Sequence, residues 1–284
     1  MRGNVPAYEL ELAGTLDEAL ALVEAGFLPF AGGTDVMVVL EAGKLPVARY
    51  VSILGLSELA GVEVDDQAVT LGANTTYREV REHPVVAAEF PMLAQAAVES
   101  GAIAIQNRGT LGGNIMNASP AADSPPALIA YGAQIELVSR QGRRWIAYDT
   151  FHTGYKQTLA KPGELLSRVR IPRRPDGDWR QLYDKVGTRS WQAISKVCFA
   201  GIARLEDGVV REVRIGLGAV GPTVVRADVT MKTLFGQRPD AALELAAKVA
   251  MASDARPIDD IRSTAFYRAT VAANLAAAFV RALA

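Results

Sequence analysis

The stretch GTLGGNIMNASPAADSPPAL, Gly109–Leu128, decides how the chain is read. It holds three glycines, three prolines, two asparagines and one acid among small and apolar residues. That is too apolar for a solvated loop, and too broken by Gly and Pro for a regular helix or strand. Earlier in the chain FAGGTD, Phe30–Asp35, has the same design: paired glycines beside a threonine and a polar residue. Paired glycines let a backbone turn sharply and approach a bound group, and successive N–H groups in such a turn form an anion-binding nest. Thr and Asn side chains add donors. Phosphate is the ligand such loops favour, and two of them suit a pyrophosphate. The competing reading, two tight turns at strand ends, stays open at this level.

Neither loop matches G-x-G-x-x-G or G-x-x-x-x-G-K-[ST], so Rossmann and Walker sites are unsupported. Asp123 stands ahead of Pro125 and Pro126. Its carboxylate suits a ribose or another hydroxylated chain, and equally the N-cap of a helix starting at the prolines. His83 and His152 lie far apart with no carboxylate cluster at ligand spacing, so no metal site is predicted. Ser119 is not in a G-x-S-x-G elbow. Binding loops without catalytic side chains fit a protein whose chemistry belongs to its cofactor. Further on, LYDKVGTRSWQAISK gathers Tyr183, Lys185, Arg189 and Trp191. Tyr183 and Lys185 share a face of an alternating strand. Such a face suits a planar ring or a phosphate, or simply a domain interface.

The chain has 284 residues, half of them apolar, and a net charge of −1. That length buries a large core in one or two domains. Near neutrality argues against nucleic acid. No apolar run nears the roughly 20 residues that span a bilayer, and the start lacks a signal-peptide core, so a soluble, cytoplasmic protein is expected. The lone Cys198 excludes an internal disulfide framework and an iron–sulfur cluster held by this chain alone.

Pattern and punctuation predict a helix after Thr15, with a Thr15–Glu18 capping box, then a strand over Phe27–Ala31. A helix to Glu41, capped by Thr34 or Asp35, and a strand over Tyr50–Leu54 follow. Next come a hairpin at Asp65-Asp66, a helical stretch over Val85–Gly101 broken at Pro91, a short helix at the two prolines, a hairpin across Gln141-Gly142 and a strand over Glu164–Pro172. Arg173–Trp179 is the candidate linker. Beyond it are three antiparallel strands and helices at about Asp228–Phe235, Asp240–Ser253 and Asp259–Leu283, an α+β pattern.

Together, AGGTD (Ala31–Asp35), NRGTLGGNIMNASPAADSPPAL (Asn107–Leu128), YDKVGTRSWQAISKV (Tyr183–Val197) and the tail from Asp260 to Leu283 resemble the FAD-binding medium subunit of the molybdenum hydroxylases. The resemblance covers nearly the whole chain. It implies an α+β protein: a vanillyl-alcohol-oxidase/peptidoglycan-reductase-like FAD domain over 1–173, with subdomains of about 1–55 and 56–173. A C-terminal α+β domain over 179–284 would carry a three-stranded antiparallel sheet. It implies a pyrophosphate across Ala31, Gly32, Gly33, Thr34 and Asp35 on one side and Thr110, Leu111, Gly112, Gly113 and Asn114 on the other. Pro29, Phe30 and Val36 would flank the first loop. Asp123 would lie near ribose or ribityl hydroxyls, Leu166 or a neighbour on its strand would touch the ring system through its backbone, and Lys185 would reach the flavin end or a phosphate. Some relatives carry His-Ser in place of Thr34-Asp35; an acid beside phosphates suits a helix cap better than a side-chain contact.

The resemblance also implies partners: a large molybdopterin subunit and a small subunit with [2Fe–2S] clusters, usually in a dimer of heterotrimers. Electrons would pass through FAD to NAD, a quinone or O2. A free-standing flavin oxidase or reductase is the alternative. It would need a proton donor or covalent link near the ring, and no Cys or His stands in such a setting.

Overall fold

The computed structural model describes residues 8–45, 48–189 and 192–284. The chain opens with β1 (Glu9–Leu12), α1 (Leu16–Glu24), β2 (Leu28–Phe30), α2 (Val36–Glu41) and β3 (Arg49–Ser52). The strands form a parallel sheet in the order β1-β3-β2. The Thr15 hydroxyl caps α1 by accepting the Glu18 N–H. The Glu18 carboxylate returns to the Gly14 N–H, one residue before the partner a capping box would use. Strand β2 is two residues shorter than the predicted Phe27–Ala31.

The second sheet is antiparallel, in the order β4-β5-β10-β6-β7: β4 (Val62–Val64), β5 (Ala68–Gly72), β6 (Gln134–Ser139), β7 (Gly142–Ala147) and β10 (Leu165–Pro172). The β4–β5 turn is held by Asp65, whose carboxylate accepts from the N–H groups of Gln67 and Ala68. The β6–β7 hairpin turns at Arg140–Gln141, one residue before the predicted position, because Ser139 pairs with Gly142. Between β5 and β6 run six helices: α3 (Tyr77–Glu82), α4 (Pro84–Glu89), α5 (Pro91–Glu99), α6 (Ile103–Gln106), α7 (Leu111–Asn117) and α8 (Ser124–Tyr131). Pro91 separates α4 from α5, as predicted. Helices α3, α6 and α7 are additions to the sequence reading. A small hairpin of β8 (His152–Gly154) and β9 (Gln157–Thr158) precedes β10.

The third sheet has four strands, not three: β11 (Asp178–Val186), β12 (Val197–Glu206), β13 (Val209–Gly218) and the two-residue edge strand β14 (Val225–Arg226). Two residues are too few to show a period. The β12–β13 turn is Asp207-Gly208, both at positive φ, as a primed hairpin turn requires. Helices α9 (Asp228–Leu234), α10 (Ala241–Asp254) and α11 (Ala265–Leu283) pack on this sheet. Helix α11 starts six residues later than predicted, capped by the Thr264 hydroxyl on the Tyr267 N–H.

All eight residues of α8 are buried. A Cβ on Gly216 of β13 would sit 2.2 Å from the Pro126 carbonyl, so glycine is what lets α8 lie against the third sheet. One hydrophobic core therefore runs from Val69, Leu93 and Ile135 through Leu128 to Cys198, Ala200 and Ile202. The predicted linker is pinned beside this seam. Arg173 makes a bidentate bond to Glu89 at 2.8 and 2.7 Å, and Arg174 lies over the Tyr131 ring at 4.7 Å. Among the described residues no helix is long and apolar enough to cross a membrane.

Candidate functional site

A cavity of about 1700 Å³ opens among the first sheet's loops, the α6–α8 segment and the loop at 192–194. This is larger than the roughly 300–1,000 Å³ of an ordinary small-molecule pocket, and so suits a ligand of more than ordinary size. The two glycine loops meet there. A Cβ on Gly32 would stand 1.8 Å from the Arg108 carbonyl and 3.2 Å from the Gly109 Cα. Nothing larger than glycine allows this contact. A Cβ on Gly109 would in turn lie 3.5 Å from the Thr34 hydroxyl.

The two loops present different donors. In the first, Gly33 has φ +75 and packs against the Phe30 ring. The N–H groups of Gly33, Thr34 and Asp35 have no partner among the described residues. The second loop is not an open bend. Leu111–Asn117 is helix α7, with Thr110 at its N-cap. Its first N–H groups are already bonded: Leu111 to the Thr75 carbonyl, Gly112 to that of Ala73, Gly113 to the Thr110 hydroxyl and Asn114 to the Thr110 carbonyl. Glycine at 112 serves packing, since a Cβ there would meet Ala73 at 2.6 Å. The N–H groups of Leu111–Asn114 are thus used internally, and the side-chain donors this loop leaves open among the described residues are the Thr110 hydroxyl and the Asn114 amide.

Pro29, Ala31–Val36, Thr110, Gly112–Asn114, Asp123 and Leu166 all line the cavity. The side chains of Phe30, Leu111 and Lys185 stand outside its lining. Leu166 lies where the β10–β6 register shifts, between Leu166 and Arg168, and such bulges re-aim backbone beside binding sites. Asp35 occupies the N-cap position of α2, but its side chain makes no capping bond, against expectation. Desolvation by the cavity walls raises its carboxyl above the usual aspartate value, with the Lys156 ammonium opposing.

Asp123 likewise stands at the N-cap position of α8 without capping it. Its carboxylate accepts from Lys185 Nζ at 2.8 Å and from Ser195 Oγ at 2.7 Å. Lys185 donates also to the Glu99 carbonyl at 2.8 Å. The Lys185 side chain is 3% exposed and that of Asp123 12%. Burial raises the Asp123 carboxyl, and Lys185 and Ser195 pull it down. Tyr183 and Lys185 do share a face, and both meet Asp123: the Tyr183 hydroxyl donates to its carbonyl at 3.2 Å. Arg189 donates to the Gln192 carbonyl, while Trp191 lies outside the described residues.

Asn74, Tyr50 and Lys156 also line the cavity and were missed from sequence. The Asn74 amide nitrogen donates to the Ile53 carbonyl at 2.6 Å. Its Oδ1 is buried without a partner among the described residues. That orphaned acceptor fits a ligand carrying N–H or O–H groups, as FAD does in its adenine, ribityl chain and flavin ring. The only local signal was a polar run, Asn74–Thr76, straight after a buried strand. Among the described residues no cluster of metal-ligating side chains occurs.

Residues 6–174 match the family of the FAD-binding domain in molybdopterin dehydrogenase, and residues 183–283 the CO dehydrogenase flavoprotein C-terminal domain. The chain belongs to this family of FAD-binding subunits of molybdenum hydroxylases, an oxidoreductase family whose cofactor at this domain is FAD. It is 32% identical to the putative xanthine dehydrogenase FAD-binding subunit of Escherichia coli K12, over 75% of this chain and 74% of that one. It is 30% identical to the glyceraldehyde dehydrogenase medium chain of Sulfolobus acidocaldarius, over 94% of each. The carbon monoxide dehydrogenase of Hydrogenophaga pseudoflava that lacks the Mo-pyranopterin moiety superposes with a TM-score of 0.94, at 27% identity, over 99% of this chain and 98% of its counterpart.

Proposed function

We propose that the chain is the electron-exit subunit of a molybdenum hydroxylase, holding FAD between [2Fe–2S] clusters of a small subunit and an external acceptor such as NAD, a quinone or O2. A large molybdopterin subunit would oxidise the substrate, in a cytoplasmic dimer of heterotrimers. Relatives named as medium chains, and a solved carbon monoxide dehydrogenase of the same fold, support that division of labour. The lone, buried Cys198 agrees with clusters carried elsewhere. Residues 1–173 would bind the flavin, and 179–284 would close the site.

One observation carries the site assignment. The contact of Gly32 with Arg108 and Gly109 brings the open N–H groups of Gly33–Asp35 and the side-chain donors of Thr110 and Asn114 to one large cavity. FAD supplies reversible redox chemistry there. The chain's own residues do the holding. Backbone N–H groups of the first loop and side-chain donors of the second meet the diphosphate. The orphaned Asn74 Oδ1 accepts from the ligand. Asp123, kept in place by Lys185 and Ser195, accepts from a ribose or ribityl hydroxyl, and the Leu166 backbone lies against the ring system. Lys185 acts on the flavin through Asp123.

The purified chain should show visible flavin absorption, and the native complex should carry molybdenum and iron. In Gly113→Val a branched side chain would meet Thr110 Oγ1, only 2.9 Å from the first added carbon, and project into the cavity. The variant should fold and lose its flavin; full occupancy would refute the diphosphate assignment.

A further inference from the structure

We propose that Ser124, backed by Tyr77, fixes which end of the Asn114 side-chain amide faces the cavity, turning its NH2 group toward a bound diphosphate. The proposal rests on the FAD reading above and adds two positioning residues to it. The two ends of an asparagine amide have nearly the same shape, so packing alone does not choose between them; hydrogen bonding does. Asn114 lines the cavity. Its Oδ1 accepts from Ser124 Oγ at 3.0 Å, and its Nδ2 has no partner among the described residues.

Ser124 is fully buried. Its hydroxyl has one proton, committed to Asn114, so its oxygen is free to accept from the Tyr77 hydroxyl at 3.3 Å. Tyr77 is buried too, and desolvation raises its phenol, which keeps the proton it donates. The chain Tyr77–Ser124–Asn114 thus ends on the one polar atom that must be kept away from phosphate oxygens. Orientation matters more here than in an open nest, because the backbone N–H groups of Leu111–Asn114 are already spent within the protein. A carbonyl turned into the cavity would repel the diphosphate and remove a donor at once.

The test is titration of the flavin-stripped full chain with FAD, followed by fluorescence, with the thermal midpoint of each apoprotein as the folding control. Asn114→Ala should weaken binding about tenfold or more, as loss of a hydrogen bond to a charged group does. Ser124→Ala should weaken it about three- to tenfold by freeing the amide to turn, and Ser124→Thr, which restores a hydroxyl, should recover most of that loss. The decisive variant is Ser124→Ala combined with Asn114→Ala, which should bind no more weakly than Asn114→Ala alone. Tyr77→Phe keeps the ring in the core and should give a smaller loss that likewise vanishes once Asn114 is alanine.

If Ser124→Ala leaves FAD affinity intact, or adds its full factor on top of Asn114→Ala, the orientation proposal is overturned while the FAD reading stands. If Asn114→Ala itself leaves affinity unchanged, the diphosphate assignment of this loop fails and takes the proposal with it.

Discussion

Gly32 is where one missing carbon does the most. Its Cα faces the Arg108 carbonyl so closely that a methyl group would have to displace backbone, with no flexible side chain to yield. Gly32→Ala should therefore separate the two loops, abolish flavin retention and cost about 1–3 kcal/mol of stability, the usual penalty for forced overpacking. Gly55 is the control: a Cβ there meets nothing within 4 Å. Gly55→Ala should retain flavin and unfold at an equal or slightly higher midpoint, because it only narrows the unfolded ensemble. Equal behaviour of the two variants in a thermal melt would remove the argument from close approach. The glycines themselves were legible in the sequence. What each one touches was not: Gly32 answers to a carbonyl 76 positions later, and Asn74 became a site residue only because the fold left its Oδ1 without a partner among the described residues.

Among the elements, α7 runs most directly against pattern reading. Glycines at 112 and 113 argue against a helix, yet Thr110 caps it and Ala73 demands a glycine beneath it. Helix α3 carries a local signal of its own, since Thr76 and Glu79 form a complete capping box. Elements with caps, prolines and a sustained period (α1, α5, α8, β10 to β13) were readable because their signals are local. At its far end α7 is held by His152, whose Nε2 lies 2.9 Å from the Ile115 carbonyl. Burial lowers the His152 pKa below 6.5, with that hydrogen bond opposing. The unfolded chain then holds more protons than the fold around this pKa. The contribution is complete above pH 6.5 and is lost as the pH falls through the folded value. Urea denaturation of the apoprotein across that range should show stability dropping on acidification, and His152→Gln should flatten the drop. Identical pH slopes for the two proteins would sink this account.

At the scale of the whole molecule, the charged stretch at 173–179 looks in the sequence like a tether between two bodies. In the fold the same residues are clamped to α4 and α8, and the hydrophobic core passes beneath them. Across this seam lies the Asp123–Lys185 pair, joining residues 62 positions apart. No periodicity reports such a pairing, so sequence reasoning could name both residues but not join them. Removing one partner of a buried pair strands the other charge, at a cost of about 3–5 kcal/mol. Lys185→Met keeps most of the side-chain volume and should cost about that much, lowering the midpoint of unfolding for flavin-binding and third-sheet residues together, because they share one core. The added variant Asp123→Asn should recover much of the loss by removing the stranded carboxylate. FAD affinity should fall in Lys185→Met, where the Asp123 carboxylate loses the ammonium that holds it in place, and stay low in the double variant, which lacks the carboxylate altogether. Were affinity instead restored along with stability, Asp123 would be a structural partner of Lys185 and no acceptor for the flavin's hydroxyls.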